Sequence, residues 1–543
     1  MDMDVFWADQ LAEEAIIRAK KERRIVTCRG AASPSGGKHI GNLFDAAKAY
    51  MVHKAVLKKG YQSRFVFTHD DRDPLRNIPS KLPRLDGKWY MVDENTKKKL
   101  EKYLGVPYSR TPDPFKCCDS WSVHFATLWE NGVRALGMKD AEFYFAEDLY
   151  EAGRFDSCVQ AALEKLDVSR KIIKKFQESK ESDYIPFDAI CGKCGKIMGK
   201  AVSFDIEKKT VDYVCTGRDL AGKYAIQGCG FRGTTTFRGG KLPWSFEWPA
   251  QWSIWATTFE PFGKEHAEGS WPRCSVIARE VFEIEPPIPH IYEFLLINGE
   301  KMSTRYGNVY IAQEMLQIVE PEVFLYFYTK RSKKQRSLDL KTIHLLVEDF
   351  EKAERVYFGK DAADEKNREN MARMYESSFA SVPKKMPFRL PYHLAVMVAN
   401  LVPDRSWERS LQILKETGHV KEPLPADDEM QIKRRLELAA HWLDIFAPEG
   451  TKIAVNENPP KDLTLALKEK AALKEFAASL DQAKTEEGIY EKLYEIPRKH
   501  KIEPKAFFRA AYLALISRDR GPRLAPFIMA LGRGRVKELL EKL

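Results

Sequence analysis

The stretch from Ile25 to Asp73 constrains the fold more than any other part of the chain. Ile25-Val26-Thr27-Cys28 is apolar enough for a short buried strand, and it runs into a small-residue loop, Gly30 to Gly37. Apolar residues then recur at helical spacing from about Ile40, with Leu43, Ala46, Ala47, Tyr50 and Leu57 on one face and Gly60 as the stop. A second apolar run, Phe65 to Thr68, ends abruptly in His69-Asp70-Asp71-Arg72-Asp73. Strand, glycine loop, helix, strand and acidic tip make a βαβ unit whose ligand edge lies at the strand ends. The expectation is an α/β fold on an open, mostly parallel sheet.

The remainder adds domains to that sheet. A chain of 543 residues is too long for one core and sufficient for roughly three to four domains. From Lys97 to Lys241 a helical pattern gives way to a cysteine-bearing, β-prone section, which reads as an insertion. A buried sheet element returns at Ile291 to Ile297 and leads into the loop Asn298 to Asn308. Beyond about residue 340 the strand signal disappears. Ile432, Leu436, Ala439, Leu443 and Phe446 keep helical spacing, and helical stretches continue from Asp462 to the end. The expected boundaries are 1–96 and 242–297 for the two halves of the sheet domain, 97–241 for the insertion, 298–360 for a connecting region and 361–543 for an all-α domain. With 44% hydrophobic and 31% charged residues, the composition is that of a soluble globular protein. No apolar run reaches the roughly 18 residues of a membrane span, and the acidic start is unlike a signal peptide, so the expected compartment is the cytoplasm. A net charge of +10 suits a polyanionic partner but decides little alone.

Two loops about 260 residues apart carry the chemistry. In Ser33-Pro34-Ser35-Gly36-Gly37-Lys38-His39-Ile40-Gly41-Asn42, a glycine loop feeds a helix N-terminus, where free backbone N–H groups and the helix dipole favour phosphate. Gly41 leaves room for a flat base, and His39 and Asn42 stand close enough on the first turn to reach one ligand. In Glu300-Lys301-Met302-Ser303-Thr304-Arg305, a cation and hydroxyls follow a buried strand, placed to neutralise phosphate charge. Taken singly, the first loop also reads as a glycine-rich helix cap and the second as an exposed basic turn. Cys191-x2-Cys194, Cys215 and Cys229 can close a tetrahedral zinc site, although thirteen residues separate the last two. The competing reading is four free cytosolic thiols.

In this order, Pro-Ser-Gly-x-x-His-Ile-Gly-Asn followed by Lys-Met-Ser resembles the paired motif of class I aminoacyl-tRNA synthetases, and most closely the class I lysyl-tRNA synthetases. Asp70-Asp71, Phe259 to His266, Tyr292-Glu293-Phe294 and Glu354 to Gly359 also stand in family order. The resemblance implies a Rossmann-type catalytic domain with a zinc-bearing insertion, followed by an all-α anticodon-binding domain. It implies that lysine attacks ATP to give lysyl-adenylate, from which the lysyl group passes to tRNA(Lys). It assigns His39, Asn42, Lys301 and Ser303 to catalysis. Ser33, Gly36, Gly41, Met302, Thr304 and Arg305 join them around ATP, which magnesium accompanies. The lysine pocket draws on Asp45, Asp70 and Asp71, with Trp252, His266 and Tyr292 added from family position. The implied role of the zinc is structural, holding an insertion that supports the tRNA acceptor end.

Three departures stand out: Thr304 and Arg305 replace a more usual Lys-Ser pair, and Ala31 stands where glycine is expected. Lys330 to Arg336 and Arg498 to Lys501, the latter near Phe507 and Phe508, are basic clusters that suit tRNA or simply a solvated surface. The alternatives are a class I synthetase for glutamate or cysteine, a non-catalytic tRNA-binding paralogue, and a generic nucleotidyltransferase. A monomer is favoured, with the oligomeric state left open.

Overall fold

A computed structural model describes residues 6–176, 183–220, 224–302, 308–330 and 335–543. The chain divides into two compact units: residues 1–316, 321–339 and 352–382 form the first, and 317–320, 340–351 and 383–543 the second.

The first unit is built on a five-stranded sheet. Its strands are β1 (Val26–Ala32), β2 (Ser63–His69), β3 (Glu142–Phe145), β4 (Phe259–Gly263) and β5 (Ile288–Tyr292), in the order β5-β4-β1-β2-β3. Every pairing is parallel. Chain order reverses beside β1, which is where an open parallel sheet leaves a crevice at its strand C-termini. Helix α1 (Trp7–Lys21) precedes β1, and α2 (Leu43–Lys58) crosses to β2 with twelve of its sixteen residues buried. That burial explains its weak amphipathic pattern, because a helix wedged between sheet and neighbours is apolar nearly all round.

The structure alters three details of the sequence reading. β1 continues through Gly30, Ala31 and Ala32, so the loop begins at Ser33 and not at Gly30. The small residues there reflect crowding across the sheet: a Cβ on Gly30 would stand 3.0 Å from the Phe67 ring. The apolar run at Ile291 is two strands, because β5 ends at Tyr292 and Leu295–Ile297 joins a separate three-stranded sheet with Glu300–Lys301 and Arg336–Leu338. Finally, β3 lies within the segment read as an insertion, yet it forms the edge of the main sheet.

The cysteine-bearing section is an antiparallel five-stranded sheet that includes Gly199–Asp205, Thr210–Cys215 and Arg232–Thr236. Helices α3 (Trp121–Ala135) and α4 (Ala146–Glu151) come before it, while α5 (Trp244–Trp255) and α6 (Pro321–Thr329) follow it.

The second unit is helical, as the sequence predicts. Among its helices are α7 (Tyr392–Leu401), α8 (Ala426–Ile445) and α9 (Pro504–Ile516). Its core holds a charged cluster. Arg435, 2% exposed, donates to Glu320 at 2.5 Å, to Glu351 at 2.7 Å and to the Leu390 carbonyl at 2.9 Å. No helix is long and apolar enough to cross a membrane among the described residues.

Candidate active-site cleft

A cleft of about 440 Å³ opens at the C-terminal ends of β1, β2, β4 and β5. Each strand end contributes to it: Ala31, Ala32 and Ser33 from β1, Asp70 after β2, Phe262 and Gly263 from β4, and Tyr292 from β5.

The first loop folds back on itself at the cleft mouth. Ser33 Oγ donates to Asp73 at 2.7 Å, and the Lys38 ammonium donates to the Ser33 carbonyl. Burial pushes Lys38 down to about 8, against the pull of Asp70, Asp45 and Asp73. His39 caps the following turn, its Nδ1 accepting from the Gly41 N–H at 3.1 Å. Burial, with Lys38 beside it, holds His39 down to about 4. The ring is therefore neutral with its proton on Nε2.

The second loop reaches the first at Gly41. A Cβ on Gly41 would lie 2.9 Å from the His39 ring and 2.9 Å from Met302 Cε. The Ile40 N–H donates to the Tyr310 carbonyl at 2.9 Å, and Tyr328 of α6 donates to the Ile40 carbonyl at 2.7 Å. Lys301 is exposed, with its ammonium 4.1 Å from the Phe294 ring centre and not in the cleft wall. Ser303, Thr304 and Arg305 lie outside the described residues.

Asn42, Asp45, Asp70, His266 and Tyr292 all line the cleft. Tyr292 donates to Asp45 at 2.5 Å and stacks on Phe44, ring centres 5.0 Å apart. Burial pushes Asp45 up to about 8, the Tyr292 hydrogen bond opposing. Asp70 accepts from the Gln251 amide at 2.9 Å and is raised by burial and by nearby Asp73. His266 sits 5.4 Å from the Trp248 ring and is lowered by burial.

Asp71 and Trp252 stand elsewhere. Asp71 accepts from the Glu147 N–H at 2.9 Å, at the start of α4, and burial pushes it up to about 8. Trp252 packs in the core against Trp271 and donates to Glu260 at 2.8 Å. Along α5 Trp244, Trp248 and Trp252 recur every four residues, a rise of about 6 Å each. Trp244 and Trp248 reach the cleft while Trp252 lies one turn too deep.

Sequence reasoning overlooked Lys38, Asp73, Trp248 and Glu260. Lys38 was legible as the cation inside the first motif. Glu260 accepts from Arg29 at 2.5 Å, Trp248 at 2.8 Å and Trp252 at 2.8 Å, so its charge is already compensated. Asp73 is likewise paired, with Lys241 at 2.6 Å. Asp45 and Asp70 have no ion-pair partner among the described residues. Glu265, also in the cleft wall, has none either, so three of the five carboxyls that line the cleft stand outside any ion pair, which suits a cationic ligand.

The four predicted thiols converge. Cys191 and Cys229 sulfurs are 3.6 Å apart, Cys194 and Cys215 sulfurs 3.7 Å, and all four lie within 4.8 Å of one another. Zinc–sulfur bonds of about 2.3 Å set tetrahedral sulfurs about 3.8 Å apart, so the donor set fits zinc. The Phe231 N–H draws Cys229 down to about 7, toward the thiolate a metal needs.

A second group of donors escaped the sequence reading: Asp113, Cys117, Cys118 and His124. Cys117 Sγ stands 3.3 Å from His124 Nδ1 and 3.8 Å from Cys118 Sγ. His124 Nε2 faces the Pro83 carbonyl at 3.1 Å, which fixes the tautomer with Nδ1 free to ligate. The signal was an Asp four residues before adjacent cysteines and a His six after them.

Of the basic clusters, Arg331 to Lys334 lie outside the described residues. In the other, Lys499 and His500 both pair with Glu475, and Phe507 is buried.

The profile of the "tRNA synthetases class I (K)" family matches residues 5–381. A lysine–tRNA ligase of Natronomonas pharaonis is 36% identical over 538 residues, covering 99% of this chain and 97% of that protein. One from Halobacterium salinarum is 37% identical, covering 97% of this chain and 95% of that one. A third, from Methanocaldococcus jannaschii, is 31% identical, with 97% and 98% covered.

Proposed function

The chain belongs to the class I (K) tRNA synthetase family, and from that membership we propose that it joins lysine to tRNA(Lys) through a lysyl-adenylate. The observation that carries the choice of amino acid is the pair Asp45 and Asp70, carboxyls that line the cleft outside any ion pair. A glutamate side chain would need a cation in their place, and a cysteine specificity would need a metal in the cleft wall. Lysine brings two ammonium groups to two acceptors, and its four-carbon stem lies against Tyr292, Trp244 and Trp248.

The adenylation step needs no strong base, because a lysine carboxylate is already ionised near neutral pH. Catalysis is positioning and stabilisation of phosphate charge. His39 offers its Nε2–H and Asn42 its amide to the phosphates of ATP. Gly41 gives the adenine a bare backbone, and Lys38 supplies a cation from the first loop. Lys301, with Ser303, Thr304 and Arg305, supplies further charge and hydrogen bonds from the second. Magnesium bound with ATP would screen its phosphates. Zinc on Cys191, Cys194, Cys215 and Cys229 would hold the ends of three β segments together, a structural role, and Asp113, Cys117, Cys118 and His124 offer a second site. The helical unit reads the anticodon.

Amino-acid-dependent ATP–pyrophosphate exchange with each standard amino acid tests the reading. Exchange with lysine alone is expected; exchange with glutamate or cysteine, or with none, would overturn it.

A further inference from the structure

The cysteine-bearing sheet ends in the short strand Gly240–Lys241, and Lys241 is a buried cation beside the adenylation cleft. Its ammonium stands 2.6 Å from Asp73 and 2.5 Å from Glu247, and of the three residues only Asp73 lines the cleft. We propose that Lys241 is a positioning residue for ATP: by holding Asp73 it sets Ser33, and with Ser33 the phosphate loop that carries Lys38 and His39.

The contacts form an unbroken chain. Asp73 accepts from Lys241 on one oxygen and, at 2.7 Å, from the Ser33 hydroxyl on the other. The Ser33 carbonyl in turn accepts from the Lys38 ammonium.

The backbone on both sides of Lys241 is fixed. Arg72, fully buried, donates to the Arg238 carbonyl at 2.6 Å and to the Gly240 carbonyl at 2.7 Å. The Leu242 N–H donates to the Tyr150 hydroxyl at 2.9 Å, and that hydroxyl donates to Glu247 at 3.1 Å. Gly240 leaves no room for a side chain, since a Cβ would stand 2.5 Å from the Phe187 ring.

Stability alone does not account for this charge. A buried ion pair loses in desolvation much of what it gains, and apolar side chains of similar volume often replace one without loss. What an apolar residue cannot do is keep Asp73 ionised. Burial works to raise Asp73, yet Lys241 and Arg76 bring it below the usual carboxylate range. An ionised carboxylate accepts on both oxygens, which is what the Ser33 hydroxyl needs. Without Lys241 that carboxyl would protonate, or turn to Lys38 or Arg76 in the cleft wall.

This inference rests on the tRNA ligase reading, and its test keeps the two apart. Lysine-dependent ATP–pyrophosphate exchange by the full chain, with tRNA(Lys) present, is measured with ATP and lysine varied in turn. Lys241→Met and Asp73→Asn should each raise KM for ATP about tenfold, the loss of one hydrogen bond to a charged group. In Asp73→Asn, which opens no acid in the cleft, KM for lysine should stay within twofold of the natural value. Adding Lys241→Met to Asp73→Asn should raise KM for ATP no further, because the cation acts only through that carboxyl. Should Lys241→Met alone fail to fold, this double variant decides: its one remaining buried acid, Glu247, is already pushed up to about 7 by burial and can protonate. Glu247→Gln, at the end of the chain away from the cleft, should leave KM for ATP within twofold. A natural KM for ATP in folded Lys241→Met or in Asp73→Asn would overturn the proposal, as would a further tenfold rise in the double variant. So would an equal rise in Glu247→Gln, because the cluster would then act through packing. Absence of lysine-dependent exchange in the natural protein would refute the ligase reading, and this inference with it.

Discussion

Asp45 makes lysine recognition pH-dependent in a direction that can be calculated. Its carboxyl is pushed up to about 8 by burial, which outweighs the Tyr292 hydroxyl at 2.5 Å and the more distant pull of Lys38. At pH 7 such a group is neutral about ten times more often than ionised. Lysine needs the ionised form, so its apparent affinity scales with that fraction. Relative to the alkaline limit, KM for lysine should rise about twofold at pH 8, about tenfold at pH 7 and about a hundredfold at pH 6. Lysine's own ammonium groups stay charged over this range, so the slope belongs to the protein. The sign is a proton released on binding, checked by calorimetry in two buffers of different ionisation enthalpy. Asp45→Asn should abolish the slope and raise KM by about ten- to a hundredfold at pH 9, the loss of one hydrogen bond to a charged group. The assay is ATP–pyrophosphate exchange with lysine varied at saturating ATP. A lysine KM that stays flat from pH 6 to 8 in the natural protein would refute the reasoning.

Lys38, pushed down to about 8, is charged below that pH and neutral above it, so KM for ATP should rise as pH climbs past 8. Lys38→Met should remove that rise, which ATP-varied exchange kinetics would reveal. Gly41→Ala places a methyl 2.9 Å from both His39 and Met302 and should lower kcat/KM for ATP by about a hundredfold, the cost of displacing a positioning group by an ångström. Elemental analysis should find two zinc ions per chain, falling to one in Asp113→Ala/His124→Ala; a single zinc in the natural protein would limit metal to the four thiolates. Arg435→Met leaves Glu320 and Glu351 without their shared cation and should destabilise the helical unit by about 3–5 kcal/mol in urea unfolding. Adding Glu320→Gln and Glu351→Gln should restore most of that loss.

Local signals located much of the site. The strand–loop–helix–strand pattern at Ile25 to Asp73 was readable because hydrophobic periodicity and glycine placement are properties of neighbouring residues. The same logic misplaced the start of the loop, since Gly30 and Ala31 look like a turn in one dimension. They are small because Phe67 lies across the sheet. Trp252 shows the complementary limit. Four tryptophans within α5 are equivalent in composition, and only the direction of the helix axis decides which of them border the cleft. Adjacent Cys117 and Cys118 passed as scattered thiols because their companions, Asp113 and His124, become a donor set only when the loop closes on α3.

The deepest limit concerns charge. Asp45, Asp70, Asp73, Glu260 and Glu265 are five carboxyls around one cleft, and nothing in their sequence neighbourhoods ranks them. The fold ranks them by supplying partners: Lys241 closes Asp73, and Arg29 with two indoles closes Glu260. What is left open is what the ligand must complete; burial raises the proton affinity of Asp45 and Asp70, as it does that of Glu260. Buried acid that costs stability when empty and gains a partner only with substrate ties specificity to ligand charge. On this argument Arg29→Met should create a further open acceptor at Glu260. Exchange with lysine should weaken in that variant, because an uncompensated carboxyl beside the site competes for the ammonium and disturbs Trp248. Arg29→Met with Glu260→Gln should recover it, and a double variant no better than the single one would show that Arg29 acts through packing and not through charge.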